Sequence, residues 1–134
     1  MRIVAILIAL ALLAGCGDDD EETAAPSPSG GAALAELTVT VDKDGDGGAA
    51  AKTSEVTCEA ASDSKLCAAV AGMKADAFEA TPGNVACTQQ YGGPETATVK
   101  GTLRGDPVDA TFSRENGCEI ARWNAARLLL EAAG

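Results

Sequence analysis

The chain has 134 residues, with 20 acidic residues against 10 Lys and Arg, no His, five Cys and four aromatic residues (one Trp, one Tyr, two Phe). Without histidine, the Ser-His and Cys-His nucleophilic pairs and the commonest metal ligand are excluded. A formal charge of −10 argues against a nucleic-acid groove, which needs clustered Lys and Arg to displace counterions from phosphate.

Arg2 precedes an unbroken apolar run over residues 3–14. That length suits the core of an export signal, whereas a spanning helix needs about 20 apolar residues. The run ends in Leu13-Ala14-Gly15-Cys16, which resembles the bacterial lipoprotein cleavage box. Residues 1–15 are therefore read as a lipoprotein signal peptide, with diacylglycerol expected on Cys16. Acyl chains there would tie the protein to the outer face of the cell membrane. The membrane contact expected is that lipid anchor only.

Residues 16–33 hold the lipidation site and a linker. Asp18, Asp19, Asp20, Glu21 and Glu22 are followed by Pro26, Ser27, Pro28, Ser29, Gly30 and Gly31. The segment lacks the apolar periodicity that offsets ordering entropy, and its flexible reach is roughly 20–25 Å. One folded domain is expected over residues 34–134.

Leu37, Val39 and Val41 alternate with Thr38 and Thr40, the pattern of a half-buried strand. Residues 42–51 form a Gly- and Asp-rich loop. Its opening, Asp42-Lys43-Asp44-Gly45-Asp46-Gly47, matches the start of a calcium loop, but the twelfth position is Thr53 instead of a bidentate Glu. The segment is read as a polar connection into a second strand, residues 52–59. A helix is expected from Asp63 or Ser64, placing Leu66, Val70, Met73 and Ala77 on one stripe. Thr81-Pro82-Gly83-Asn84 breaks the chain. Residues 95–103 and 107–113 read as a hairpin whose tip is Arg104-Gly105-Asp106, since a reversal favours Gly and Asp. Residues 119–131 read as a second helix, although Leu128, Leu129 and Leu130 would also suit a short strand closing the sheet. The class is antiparallel α+β.

With Cys16 lipidated, Cys58, Cys67, Cys87 and Cys118 remain. An even number in an exported domain reads as two disulfides, with three connectivities open. Zinc is disfavoured by the absence of CxxC spacing and of histidine. Scattered carboxylates form no recognisable acid/base pair, so neither catalytic nor metal-binding residues are expected.

The order of these elements resembles the subtilisin-inhibitor-like family, the streptomycete type of secreted serine-protease inhibitor. The resemblance is carried by Leu37-Thr38-Val39-Thr40-Val41, Val56-Thr57-Cys58, Cys67-Ala68-Ala69-Val70-Ala71-Gly72, Cys87-Thr88-Gln89-Gln90-Tyr91, Val99-Lys100-Gly101 with Arg104-Gly105, and Phe112-Ser113-Arg114-Glu115-Asn116-Gly117-Cys118-Glu119. It implies Cys58–Cys67 and Cys87–Cys118 bridges, an antiparallel sheet of about five strands with two helices packed on it, and a homodimer formed through the sheet.

It also implies a serine-type endopeptidase inhibitor with no cofactor and no catalysis of its own. An exposed loop would present the Gln89–Gln90 bond as a substrate, with Asn84, Val85, Ala86, Cys87, Thr88 and Tyr91 contacting the protease and Asn116 bracing the loop. Gln89, in the P1 place, offers neither positive charge nor a large apolar group, so the expected partner is a subtilisin-like serine protease of broad P1 preference. Three features depart from the family pattern. Thr88 stands where proline is frequent, Gly92-Gly93-Pro94 carries one residue more than the usual spacing, and the Cys58–Cys67 loop is short. Two adjacent glycines would loosen the far side of the loop unless contacts fix them. These departures leave open a second expectation: an envelope lipoprotein interaction module that keeps the fold without inhibiting.

Overall fold

The alternation of the first strand decides which side of the sheet becomes core. In β1 (Ala33–Asp42), Ala35, Leu37, Val39 and Val41 are buried while Glu36 and Thr38 face outward. The structure, a computed structural model, describes residues 33–48 and 50–134. The expected signal peptide, Cys16 and most of the linker lie outside the described residues. β1 begins at Ala33 and includes Leu34 and Ala35, ahead of the alternation recognised in the sequence.

β1 pairs antiparallel with β2 (Lys52–Glu59) and with β3 (Thr96–Leu103), and β3 pairs with β4 (Asp106–Phe112). The order is β2-β1-β3-β4. The sheet thus has four strands among the described residues, not about five. No further segment carries period-two alternation, and the stretch between the helical region and β3 is held as a loop by other ties described below. At the β3–β4 tip both Arg104 (φ 53°) and Gly105 (φ 84°) have positive φ, the combination of a type I′ hairpin turn.

Helices cover one face of the sheet. α1 (Lys65–Gly72) starts at Ser64, whose Oγ accepts from Cys67 N at 3.3 Å, and buries Cys67 and Val70. It is shorter than the expected stripe. Met73 and Lys74 are extended, and a 3-10 turn (Ala75–Phe78) then seats Phe78 edge-on to Phe112 with ring centroids 6.4 Å apart. The Arg104 guanidinium donates to Ala71 O at 3.0 Å and Met73 O at 2.5 Å, satisfying carbonyls at the end of α1 that the helix itself leaves unpaired.

The expected helix over residues 119–131 is two helices, α2 (Gly117–Ala125) and α3 (Arg127–Glu131), separated by Ala126. α2 has no fully buried residue and runs along β4, whereas α3 packs Leu129 and Leu130 against β1 and α1. The break lets the last turn rotate its leucines into the core. Leu128 to Leu130 are helical, and the burial of the adjacent Leu129 and Leu130 suits a helix better than a strand, whose neighbouring side chains face opposite ways. One bridge, Cys58–Cys67, joins β2 to α1, and the second, Cys87–Cys118, joins the loop after the 3-10 turn to α2. This is the connectivity that the resemblance implies.

Candidate functional site

The segment between the 3-10 turn and β3 contains neither helix nor strand, yet it is tied down along its length. At its start Thr81 Oγ1 donates to Glu119 Oε1 at 2.6 Å, and the same carboxylate takes the Arg122 guanidinium at 2.6 Å. Val85 N donates to Pro82 O at 3.0 Å, closing the turn that the Pro-Gly pair begins. Cys87 is bridged to Cys118 with Cα atoms 5.4 Å apart. Thr88 O accepts from Gly117 N at 3.0 Å, and Gly92 N donates to Arg114 O at 2.7 Å.

Those last two hydrogen bonds bracket Gln89, Gln90 and Tyr91. Between them, the three residues make no backbone–backbone hydrogen bond among the described residues. Thr88, Gln89, Gln90 and Tyr91 are all exposed, as are Asn84, Val85 and Ala86, while Cys87 is half-buried. Val85 (48% exposed) and Tyr91 (67%) are the exposed large hydrophobics among the described residues, and both lie on this loop. The result is an accessible backbone with apolar side chains on either side of one peptide bond.

Asn116 supports the loop indirectly. Its Oδ1 accepts from Cys118 N at 3.0 Å and Glu119 N at 3.1 Å, capping α2. Its side chain makes no hydrogen bond to residues 84–91 among the described residues, and it fixes the helix end that carries Cys118.

Of the two glycines beyond Tyr91, Gly92 is held by contacts, which meets at that residue the condition under which the pair does not loosen the loop. A Cβ at Gly92 would come within 3.0 Å of the Ile120 side chain and 3.2 Å of Arg114 Cβ, so only glycine seats here without displacing a neighbour. Arg114 in turn pairs with Glu95 at 2.8 Å and lies 5.9 Å from the Trp123 ring centroid. Pro94 is backed by the loop after β1, where its carbonyl fills the place a Cβ of Gly45 would take. Sequence reasoning named Gly92 and, within the resemblance, Arg114 and Gly117, but gave none of them, nor Gly45 and the Thr81–Glu119 contact, a supporting role at the loop. The Asn-Gly pair ahead of Cys118 was the available signal, since Asn is a strong helix cap.

An open depression of about 550 Å³ lies on one flank of the loop, lined by Val85, Cys87, Gln89, Glu115 and Asn116. A smaller one of about 270 Å³ lies on the other, against Tyr91, Pro94 and Arg114. Glu115 borders both. Chemically, this arrangement is suited to being bound: a held backbone segment has free donors and acceptors for pairing with another chain. Cys58 and Cys67 belong to the β2–α1 junction and take no part in the loop. Cys16 lies outside the described residues. No family model, curated protein or solved structure matches the chain, so the resemblance rests on its own residues.

Proposed function

We propose that the protein is a serine-type endopeptidase inhibitor of the subtilisin-inhibitor-like kind, lipid-anchored at Cys16 on the outer face of the cell membrane. The loop over residues 84–91 enters the protease cleft as a substrate would, with Gln89–Gln90 as the reactive bond. The observation that carries this reading is the exposed, hydrogen-bond-free stretch from Gln89 to Tyr91, gripped at Thr88 and Gly92 and flanked by exposed Val85 and Tyr91.

An extended segment adds a strand to a protease cleft through its backbone, and its side chains fill the pockets. Because the loop is held before binding, little conformational entropy is lost on docking. When the protease serine attacks the Gln89 carbonyl, the Gln89–Gln90 bond breaks and the acyl group passes to the enzyme. The departing Gln90 amine remains on a chain tied at Gly92, so it stays at high effective concentration and re-forms the bond. The proposal needs no cofactor, metal, nucleic acid or catalytic residue of this chain. The homodimer through the sheet belongs to the same resemblance.

Titration against a subtilisin-type protease is expected to show tight inhibition with slow, reversible cleavage at Gln89–Gln90 alone. Gln89→Lys is expected to add inhibition of a trypsin-type protease, whose pocket carries an aspartate. The proposal fails if neither the native loop nor this variant slows a serine protease at roughly micromolar concentration, a weak affinity on the scale of known inhibitors. In the alternative reading, a non-inhibitory envelope interaction module, a partner would still bind after both Gln89 and Gln90 are replaced by alanine.

A further inference from the structure

Thr88 occupies the place where a proline would fix the backbone, and the structure places its side chain in a gap. Gly117 has no Cβ, and a methyl built there would fall on Thr88 Oγ1 and lie 3.3 Å from Thr88 Cβ. The same two residues share the 3.0 Å hydrogen bond from Gly117 N to Thr88 O. The residues beside them, Cys87 and Cys118, are the bridged pair. Three ties of different kinds therefore meet at one residue: a covalent link on its N-terminal neighbour, a hydrogen bond on its carbonyl and a steric seat for its side chain.

We propose that Thr88 is a positioning residue for the Gln89–Gln90 bond and that the missing side chain of Gly117 is the notch that receives it. This rests on the inhibitor reading of the loop and assigns the restraint that keeps the reactive bond in register. A proline in this place would act on its own φ. Threonine acts through its neighbour: branching at Cβ restricts χ1, and the rotamer that puts Oγ1 into the notch orients the peptide unit leading into Gln89. The Asn116 cap holds Gly117 at the start of α2, so the notch is part of a rigid element.

The test is a two-residue cycle of Thr88→Ala, Gly117→Ala and the double variant, made in the full domain with both disulfides. Two readouts are taken: inhibition of a subtilisin-type protease, and hydrogen exchange at the Gln89 and Gln90 amides relative to amides of β1 and β3. Gly117→Ala puts a methyl where Oγ1 sits. It is expected to weaken inhibition roughly tenfold or more, speed cleavage of the reactive bond and loosen the two loop amides while the sheet amides stay protected. Adding Thr88→Ala empties the notch for that methyl and is expected to recover part of the loss, so the two changes are non-additive.

The proposal is overturned if Gly117→Ala leaves both inhibition and the Gln89 and Gln90 amides unchanged, or if the two substitutions simply add. If Gly117→Ala does not fold, Thr88→Gly removes the knob without touching α2, and unchanged loop amides in that variant overturn it equally. If the native protein inhibits no protease yet the loop amides respond as described, the inhibitor reading falls while the Thr88–Gly117 lock stands.

Discussion

The carboxylate of Asp42 accepts hydrogen bonds from the backbone N–H groups of Gly47 at 2.6 Å, Asp44 at 3.0 Å and Gly45 at 3.2 Å. Spacing that opens like a calcium loop is here used to fold the loop on itself, with glycines at Gly45 (φ 71°) and Gly47 (φ 72°) allowing the backbone to curl around the carboxylate. The Gly47 N–H above all, helped by those of Asp44 and Gly45, holds the carboxyl below its ordinary pKa, while burial works in the opposite direction. A lowered folded-state value means that the ionised carboxylate stabilises the fold in full above the unfolded value near pH 4, and that this contribution is lost as pH falls through the lower folded value. Asp42→Asn keeps the shape but removes the charge. Its deficit in urea midpoint relative to the native protein is expected to be constant between about pH 5 and 7 and to shrink below about pH 4. A deficit that stays the same down to about pH 2 contradicts this assignment.

Among the elements, the β3–β4 hairpin is hydrogen-bonded to the end of α1 through the Arg104 side chain. Arg104 sits at φ 53°, its N–H donates to Leu34 O at 2.7 Å and its guanidinium reaches Ala71 O and Met73 O. Arg104→Ala leaves the backbone strain of a non-glycine residue at positive φ in place and removes only the guanidinium. The expected loss is roughly 1–3 kcal/mol, the range for charge-assisted hydrogen bonds partly open to solvent, read from chemical denaturation. A loss within about 0.5 kcal/mol would show that α1 ends equally well without it. The strands were legible in the sequence because their alternation survives folding: Lys52–Glu59 matches expectation at both ends, and β3 and β4 do so within a residue. The helices were less so. Gly72 marks the end of α1, but the apolar spacing through Met73 and Ala77 masked it. The break at Ala126 has no local signal at all, since alanine is a strong helix former and the turn serves only to bury Leu129, Leu130 and Ala133. In the loop, the cysteines and Asn116 could be read from residue type. The Thr88–Gly117 seat could not, because it exists only after the Cys87–Cys118 bridge and the α2 cap have brought distant residues together.

At the scale of the whole molecule, a domain with four aromatic residues relies on its two covalent ties, and the ties have different tasks. Cys58 and Cys67 are 1% and 7% exposed and form part of the core between β2 and α1, while Cys87 and Cys118 are half-buried at the loop. The sequence separations are 9 and 31. Chain-entropy arguments give roughly 2.5 kcal/mol for the shorter loop and about 3.7 for the longer. Losing the shorter bridge also disturbs core packing, which adds on the order of 1 kcal/mol and brings the two nearly level. Replacing either pair with alanine is therefore expected to cost about 3–4 kcal/mol in denaturation, leaving a folded protein if the native stability is in the upper part of the ordinary 5–15 kcal/mol range. On the inhibitor reading proposed above, the two variants part company at the Gln89–Gln90 bond. Cys87→Ala with Cys118→Ala frees the loop beside Thr88, and cleavage at Gln89–Gln90 by a subtilisin-type protease is expected to accelerate at least tenfold or so over the native rate. Cys58→Ala with Cys67→Ala, matched in global stability, is expected to keep the slow native cleavage at that bond, because Thr88, Gly92 and the α2 cap are untouched. Equal cleavage rates in the two variants at matched stability would mean that the loop is protected by the fold as a whole and not by its own bridge.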